Sequence, residues 1–281
     1  MPMITLRPPV ASGSFYSSDA DSLKKQIVEC FSHKLGPRGF KKQGFVAAIV
    51  PHAGYIYSGP VAAWVYSRIE SANYIIIGPN HTGMGEQFAV MKSGLWKTPL
   101  GEIAIDERFA EKILNENKIL SHDVVAHQHE HSIEVQLPFL QYKYGGDFKF
   151  VPTVILNEIA DDALLENCRS IGKTIANIIK KQKEKWIILA SSDFSHYIPQ
   201  KEARSIDLSL IREIKKLNEE KFFNKILEKG ASVCGFGPIA VAMIAAKELG
   251  AKKADLLKYA TSGDVTGDTG SVVGYSSVII Y

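Results

Sequence analysis

The sequence predicts an α/β fold: a mostly parallel or mixed central sheet with helices on both faces. Two observations predict it. Short apolar runs alternate with stretches of helical periodicity, and three of those runs end in polar clusters. No internal repeat or low-complexity linker interrupts the pattern, so residues 1–281 are expected to form a single domain.

In chain order, Asp21–Phe31 reads as a helix that Asp21 can cap, and Phe45–Val50 as a strand. Val61–Ile69 reads as a helix, followed by strands at Tyr74–Ile77 and Phe88–Met91 and a helix at Glu107–Asn115. Helix Ile133–Tyr144, strand Phe148–Val154, helix Ala163–Lys180 and strand Trp186–Ala190 follow. Two more helices, Glu202–Leu217 and Gly237–Leu249, are expected, the second closed by Gly250. The stretch Ser262–Gly270 is dense in Gly, Ser and Asp and reads as a turn or Ω-type loop before the strand Val272–Ile280. Asp264 and Asp268 do not fit a twelve-residue calcium loop, and Asx hydrogen bonds within the turn are expected of them.

Composition narrows the function. Hydrophobic residues make up 46% and charged residues 22%, an ordinary globular balance. A formal net charge of +3 gives no electrostatic footprint for nucleic acid or an anionic membrane surface. No apolar run approaches a membrane span, and Met1 to Pro9 lacks the apolar stretch of a secretory leader. The three cysteines, Cys30, Cys168 and Cys234, are too few and too odd in number for a disulfide framework, so a cytoplasmic setting is expected.

The chemistry falls at strand ends. Ala-Ala-Ile-Val is followed by Pro51-His52-Ala53-Gly54, Tyr-Ile-Ile-Ile by Gly78-Pro79-Asn80-His81, and Trp-Ile-Ile-Leu-Ala by Ser191 to His196. Ligands of open α/β sheets bind beyond the carboxyl ends of the strands. Histidines there suit a transition metal. Asp193 and His196, three apart on one turn, can act as ligands or as an acid/base group with its orienter. Cys234 lies in a Gly- and Pro-marked turn into a helix, where the dipole favours thiolate; a packed hydrophobe is the other reading.

His127, Glu130 and His131 match the His-x-x-Glu-His pattern of inverted zinc proteases, which requires one continuous helix through all five residues. The apolar stripe begins only at Ile133, so ordered helix is expected from about His131. A histidine-rich loop, or His129 or His131 leaning over the pocket with Glu134, are the other readings.

The segments RPPVASGSFYSSD, PHAGYIYSGPVAA, IIIGPNHTG, HEHSIEVQLPFL, SSDFSHY, CGFGPI, TSGDVTGD and SVVGYSS, in this order, resemble the Memo-like family, named for a mediator of cell motility. The resemblance implies a fold similar to class III non-haem iron extradiol dioxygenases, with a pocket in the corresponding place. It implies that His52, His81 and Cys234 are metal ligands and that Asp193 and His196 are pocket residues, His196 standing where the dioxygenases carry their acid/base histidine. Those dioxygenases hold iron with two histidines and a carboxylate; a thiolate at Cys234 shifts the preference to iron or copper, with zinc also compatible. The expectation is a metal-dependent redox enzyme acting on a small molecule or peptide. The alternative is a binding or metal-handling protein on a degenerate dioxygenase fold.

Overall fold

Runs such as Ala-Ala-Ile-Val and Tyr-Ile-Ile-Ile offer no polar face to water, so they must be covered on both sides. In a computed structural model, which describes residues 5–281, they form the middle of a nine-stranded mixed sheet. Of the N-terminal stretch Met1 to Pro9, residues 1–4 lie outside the described residues.

The first strands are β1 (Leu6–Arg7), β2 (Ala47–Val50), β3 (Asn73–Pro79), β4 (Phe88–Val90), β5 (Leu95–Thr98) and β6 (Gly101–Ala104). They are followed by β7 (Ser121–His122), β8 (Phe150–Ile155), β9 (Trp186–Ser191), β10 (His196–Ile198), β11 (Ala254–Thr261) and β12 (Val272–Ile280). Strands β2, β9, β3 and β8 lie side by side and parallel. Antiparallel β12 extends the β2 edge and carries β10 and β11; antiparallel β4 extends the β8 edge and carries β7. β1, β5 and β6 form a separate three-stranded sheet.

The helices are α1 (Ala20–Ser32), α2 (Tyr55–Tyr66), α3 (Glu107–Glu116), α4 (Val125–Gln128), α5 (Leu137–Tyr144) and α6 (Asp162–Ile179), then α7 (Gln200–Lys215), α8 (Glu219–Lys229), α9 (Phe236–Glu248) and α10 (Gly263–Thr266). Helix α2, backed by α1 and α5, packs on β2, β11 and β12. Helix α9, backed by α6 and α8, packs on β2, β9, β3 and β8. Eleven of the residues of α9, Phe236 to Ala246, are buried without interruption, as a helix enclosed on all sides requires. The sheet flanked by helices is the architecture the sequence predicts.

Several boundaries differ for identifiable reasons. The cap of α1 is Asp19, whose extended backbone lets its side chain accept from the Ser22 N–H; Asp21 sits inside the first turn instead. Helix α2 starts at Tyr55 and contains Pro60, because burial of Tyr55 and of most of the segment from Ser58 to Tyr66 outweighs the missing hydrogen bond. The segment from Ile133 begins as a 3₁₀ turn, Glu134–Gln136, and becomes α-helical at Leu137. Gly250 follows α9 with φ +94°, the left-handed backbone its closing role needs. The Ser262–Gly270 segment contains the single-turn α10; the expected Asx bond forms at Asp268, which accepts the Gly270 N–H, whereas Asp264 turns back to the Thr261 N–H and pairs with Arg204.

One close approach ties the sheet to the loop after α4. A methyl group on Gly78, in β3, would lie 2.2 Å from Ser132 Oγ and 3.1 Å from Ile133 Cγ1. Gly78→Ala therefore pushes that loop off the strand end and is expected to cost about 1–3 kcal/mol. Urea denaturation measures it; an unchanged midpoint would show that the loop yields freely.

Candidate metal centre

Parallel neighbours end on the same side, and the register sets how level those ends are. Val50 of β2 pairs with Ser191 of β9, so His52 and Asp193, two residues beyond each, stand level. The His52 backbone N–H donates to the Asp193 carboxylate at 2.9 Å. His81 leaves β3 on the other side of β9.

The tautomer of His52 follows from its neighbours. Ser191 Oγ donates its one hydrogen to the Ser132 carbonyl at 2.7 Å and accepts from Gln136 Nε2 at 2.7 Å. Toward His52 Nδ1, 2.9 Å away, it can only accept, so Nδ1 carries the hydrogen and Nε2 keeps its lone pair. Burial, with the neighbouring His131, His81 and His196 charges, holds the His52 pKa well below the usual imidazole range. His52 is a neutral imidazole with one free donor atom, the form that binds metals.

His81 is oriented from behind as well. Its Nδ1 donates to Glu130 Oε1 at 2.9 Å, so Nε2 is the atom left for an ion, which has to displace its proton. The Glu130 carboxylate, fully buried, also accepts the backbone N–H groups of His81 and Ser132. Burial pushes its pKa up, but the bond and charge of His81, the His131 charge and the Ser132 N–H outweigh it and hold it at about 2. Burial lowers His81 as well, and the Glu130 carboxylate and Asp193 charge together carry it above the usual value. A carboxylate behind an imidazole is the usual outer support of a metal-bound histidine.

The third imidazole is His131. Donor atoms of His52, His81 and His131 all lie within 4.8 Å of one another. The His131 ring stacks on His81 at 4.7 Å and lies 4.5 Å from Phe15. Burial, helped by the His81 and Arg7 charges, outweighs Glu130 and Glu134 and lowers its pKa to about 4. His131 thus joins the donors rather than an outer layer, and Glu134 turns away to Arg7 and Tyr16. The adjoining Glu-His pair inside HEHS was the available signal; the irregular backbone around it hid which imidazole faces inward.

Cys234 shares the pocket. Its Sγ is 3.3 Å from His52 Nε2 and accepts the Asp193 N–H at 3.2 Å. Burial first, then the Asp193 charge, pushes the thiol pKa up, and the S–H has two acceptors in reach, His52 Nε2 and the Asp193 carbonyl at 3.6 Å. Burial raises Asp193 to about 6 against the bonds and charges of His52, His196 and His81. His196 Nδ1 must donate to the Ser232 carbonyl, 2.7 Å away, so Nε2 is its exchangeable face. A wide cleft of about 970 Å³ opens at the opposite ends of the strands, beside Asn73, Asp106 and Trp186, and contains none of these groups.

The protease pattern fails its helix test. Helix α4 ends at Gln128, and residues 129–131 carry no regular structure. His129 is exposed, whereas His127 is buried behind the loop with Nδ1 on the Asp123 carbonyl.

A family model described as Memo-like protein matches residues 7–279. The chain belongs to the Memo-like family. A MEMO1 family protein of Methanopyrus kandleri is 40% identical over 282 residues, covering 97% of this chain and 98% of that one. One from Nitrosopumilus maritimus is 42% identical over 278 residues, with the same two coverages, 97% and 98%. An uncharacterized protein of Escherichia coli K12 has a similar fold, with a TM-score of 0.55 at 14% identity over 84% of this chain and 100% of that one.

Burial, opposed by the bond to Asp123, lowers His127 to about 4. A depressed imidazole pKa contributes stability that is present above the unfolded value, near 6.5, and lost as pH falls through 4. Over that window the contribution is on the order of 3 kcal/mol. His127→Phe is expected to flatten the dependence of unfolding free energy on pH between 7 and 4 by about that amount. A pH profile parallel to wild type would show that His127 does not titrate there.

Proposed function

We propose that this chain is a metal-dependent redox protein whose ion is held by His52, His81 and the Cys234 thiolate, with His131 beside the remaining open position. The carrying observation is the cluster of three imidazoles within 4.8 Å, in which Nδ1 of His52 and of His81 is already committed to an outer partner. Cys234 lies outside the three-imidazole cluster but beside His52, and its spacing there supports a shared ion: donors bound at about 2.1 and 2.3 Å with tetrahedral angles stand roughly 3.6 Å apart. Sγ and His52 Nε2 are 3.3 Å apart. Imidazole with thiolate favours iron or copper, and zinc is compatible. When bound, such an ion supplies one-electron chemistry or polarises a substrate oxygen.

The chain's own residues supply the rest. His196 Nε2 gives or takes the substrate's proton, and Asp193, tied to the His52 backbone, sets the local charge. The substrate class is a small molecule or peptide that reaches the surface-facing edge at His81 and His196. The modest net charge supports no nucleic-acid or membrane role. Among the described residues no helix is long and apolar enough to cross a membrane, and all three cysteines are free, which supports a cytoplasmic setting.

A second reading rests on the donor count. Three protein ligands leave a coordination position for substrate, whereas four close it. If His131 and Cys234 bind together, the site handles metal rather than turning over substrate.

Anaerobic protein is expected to take up one equivalent of Fe(II) or Cu(I), with His52→Ala and His81→Ala each lowering affinity at least 100-fold. A thiolate ligand releases its proton on binding, so wild-type affinity should rise more steeply with pH than that of Cys234→Ser, by about tenfold per unit. Parallel pH slopes in the two proteins would remove Cys234 from the ligand set and leave the three histidines. Absence of uptake by wild type would end the metal reading.

A further inference from the structure

We propose that Arg7, which offers no metal donor, is a positioning residue for His131 and that the segment from Arg7 to Tyr16 is a strap that holds the centre together. The inference rests on the metal-centre reading for its function, though not for its geometry. His131 lies on a stretch without helix or strand, so backbone ladders do not place it. Arg7 does so from three points that bracket it. Its guanidinium donates from Nε to the His127 carbonyl at 2.9 Å, from one terminal nitrogen to the Glu130 carbonyl at 2.6 Å, and from the other to the Glu134 carboxylate. The same group lies 4.0 Å over the Trp96 ring, which fixes its plane. Arg7 is 3% exposed and Glu134 fully buried, so neither has water as an alternative partner.

The strap is fastened at its other end as well. Glu134 accepts the backbone N–H groups of Val10 and Ala11 and the Tyr16 hydroxyl. The Phe15 carbonyl accepts the Tyr55 N–H at the start of α2, three residues beyond His52. Between these anchors the Phe15 ring rests 4.5 Å from His131. One short segment therefore touches the element after His52 and the ring of His131. A lysine at position 7 keeps the charge but not the planar fork, and cannot reach three acceptors in different directions.

The test uses Arg7→Lys, Phe15→Leu and His131→Ala alongside wild type, with Co(II) as the metal probe. In the metal-free proteins, imidazole NMR identifies the His131 ring resonance by its absence from His131→Ala. Phe15→Leu removes the ring-current shift on it. Arg7→Lys is expected to move that resonance most of the way to its Phe15→Leu position, and to lower Co(II) affinity 10–100-fold with a d–d spectrum approaching that of His131→Ala. A folded Arg7→Lys with the wild-type resonance, affinity and spectrum overturns the proposal. If Arg7→Lys does not fold, Phe15→Leu decides: wild-type Co(II) affinity and spectrum there overturn the strap. If wild type takes up no Co(II), the metal reading falls, and the His131 resonance in Arg7→Lys alone decides whether Arg7 positions that ring.

Discussion

A carboxylate removed from water must find partners or lose its charge. This fold buries two of them four residues apart, Glu130 and Glu134, on a stretch with almost no regular structure. Each is satisfied by groups from distant parts of the chain. Glu130 gathers the ring and backbone of His81; Glu134 gathers Arg7, Val10, Ala11 and Tyr16. Because neither set can be given up without leaving a buried charge unpaired, the loop is fixed against β3 on one side and the N-terminal segment on the other. The position of His131 is a by-product of those two obligations.

The sheet supplies the remaining constraint. Three parallel neighbours deliver His52, His81 and Asp193 to one edge, and Ser191, still on its strand, sets the hydrogen position of His52. Gly235 allows the turn carrying Cys234 to approach: a methyl there would lie 2.5 Å from the Ser191 carbonyl oxygen. Its N–H meets Ser192 Oγ, so the thiol and the β9 turn are held together. Strand register and two serines thus prepare a donor set that a loop alone would leave mobile.

What was legible in the sequence is what depends on short-range pattern. Apolar runs marked β2, β3, β8, β9 and β12, and the polar residues just past three of them marked His52, His81, Asp193 and His196. His131 and Glu130 were visible as chemistry but not as geometry, because the stretch has no periodicity from which to read a facing direction. The Arg7–Glu134 pair joins residues 127 apart in the chain, and no local signal links them. The β5–β6 hairpin carried too few apolar residues to stand out, and Pro60 argued for a later start to α2 than burial imposes.

Strand β12 follows every other strand of the sheet in the chain, yet it lies inside the sheet, between β2 and β11. Its Gly274 exchanges hydrogen bonds with Phe194 and Ser195, the residues between Asp193 and His196. During synthesis, then, the histidines emerge long before the strand that shapes their neighbouring turn. Such long-range closure is slow compared with local helix formation. The turn that carries Asp193 and His196 therefore takes its final shape only when the last strand joins the sheet.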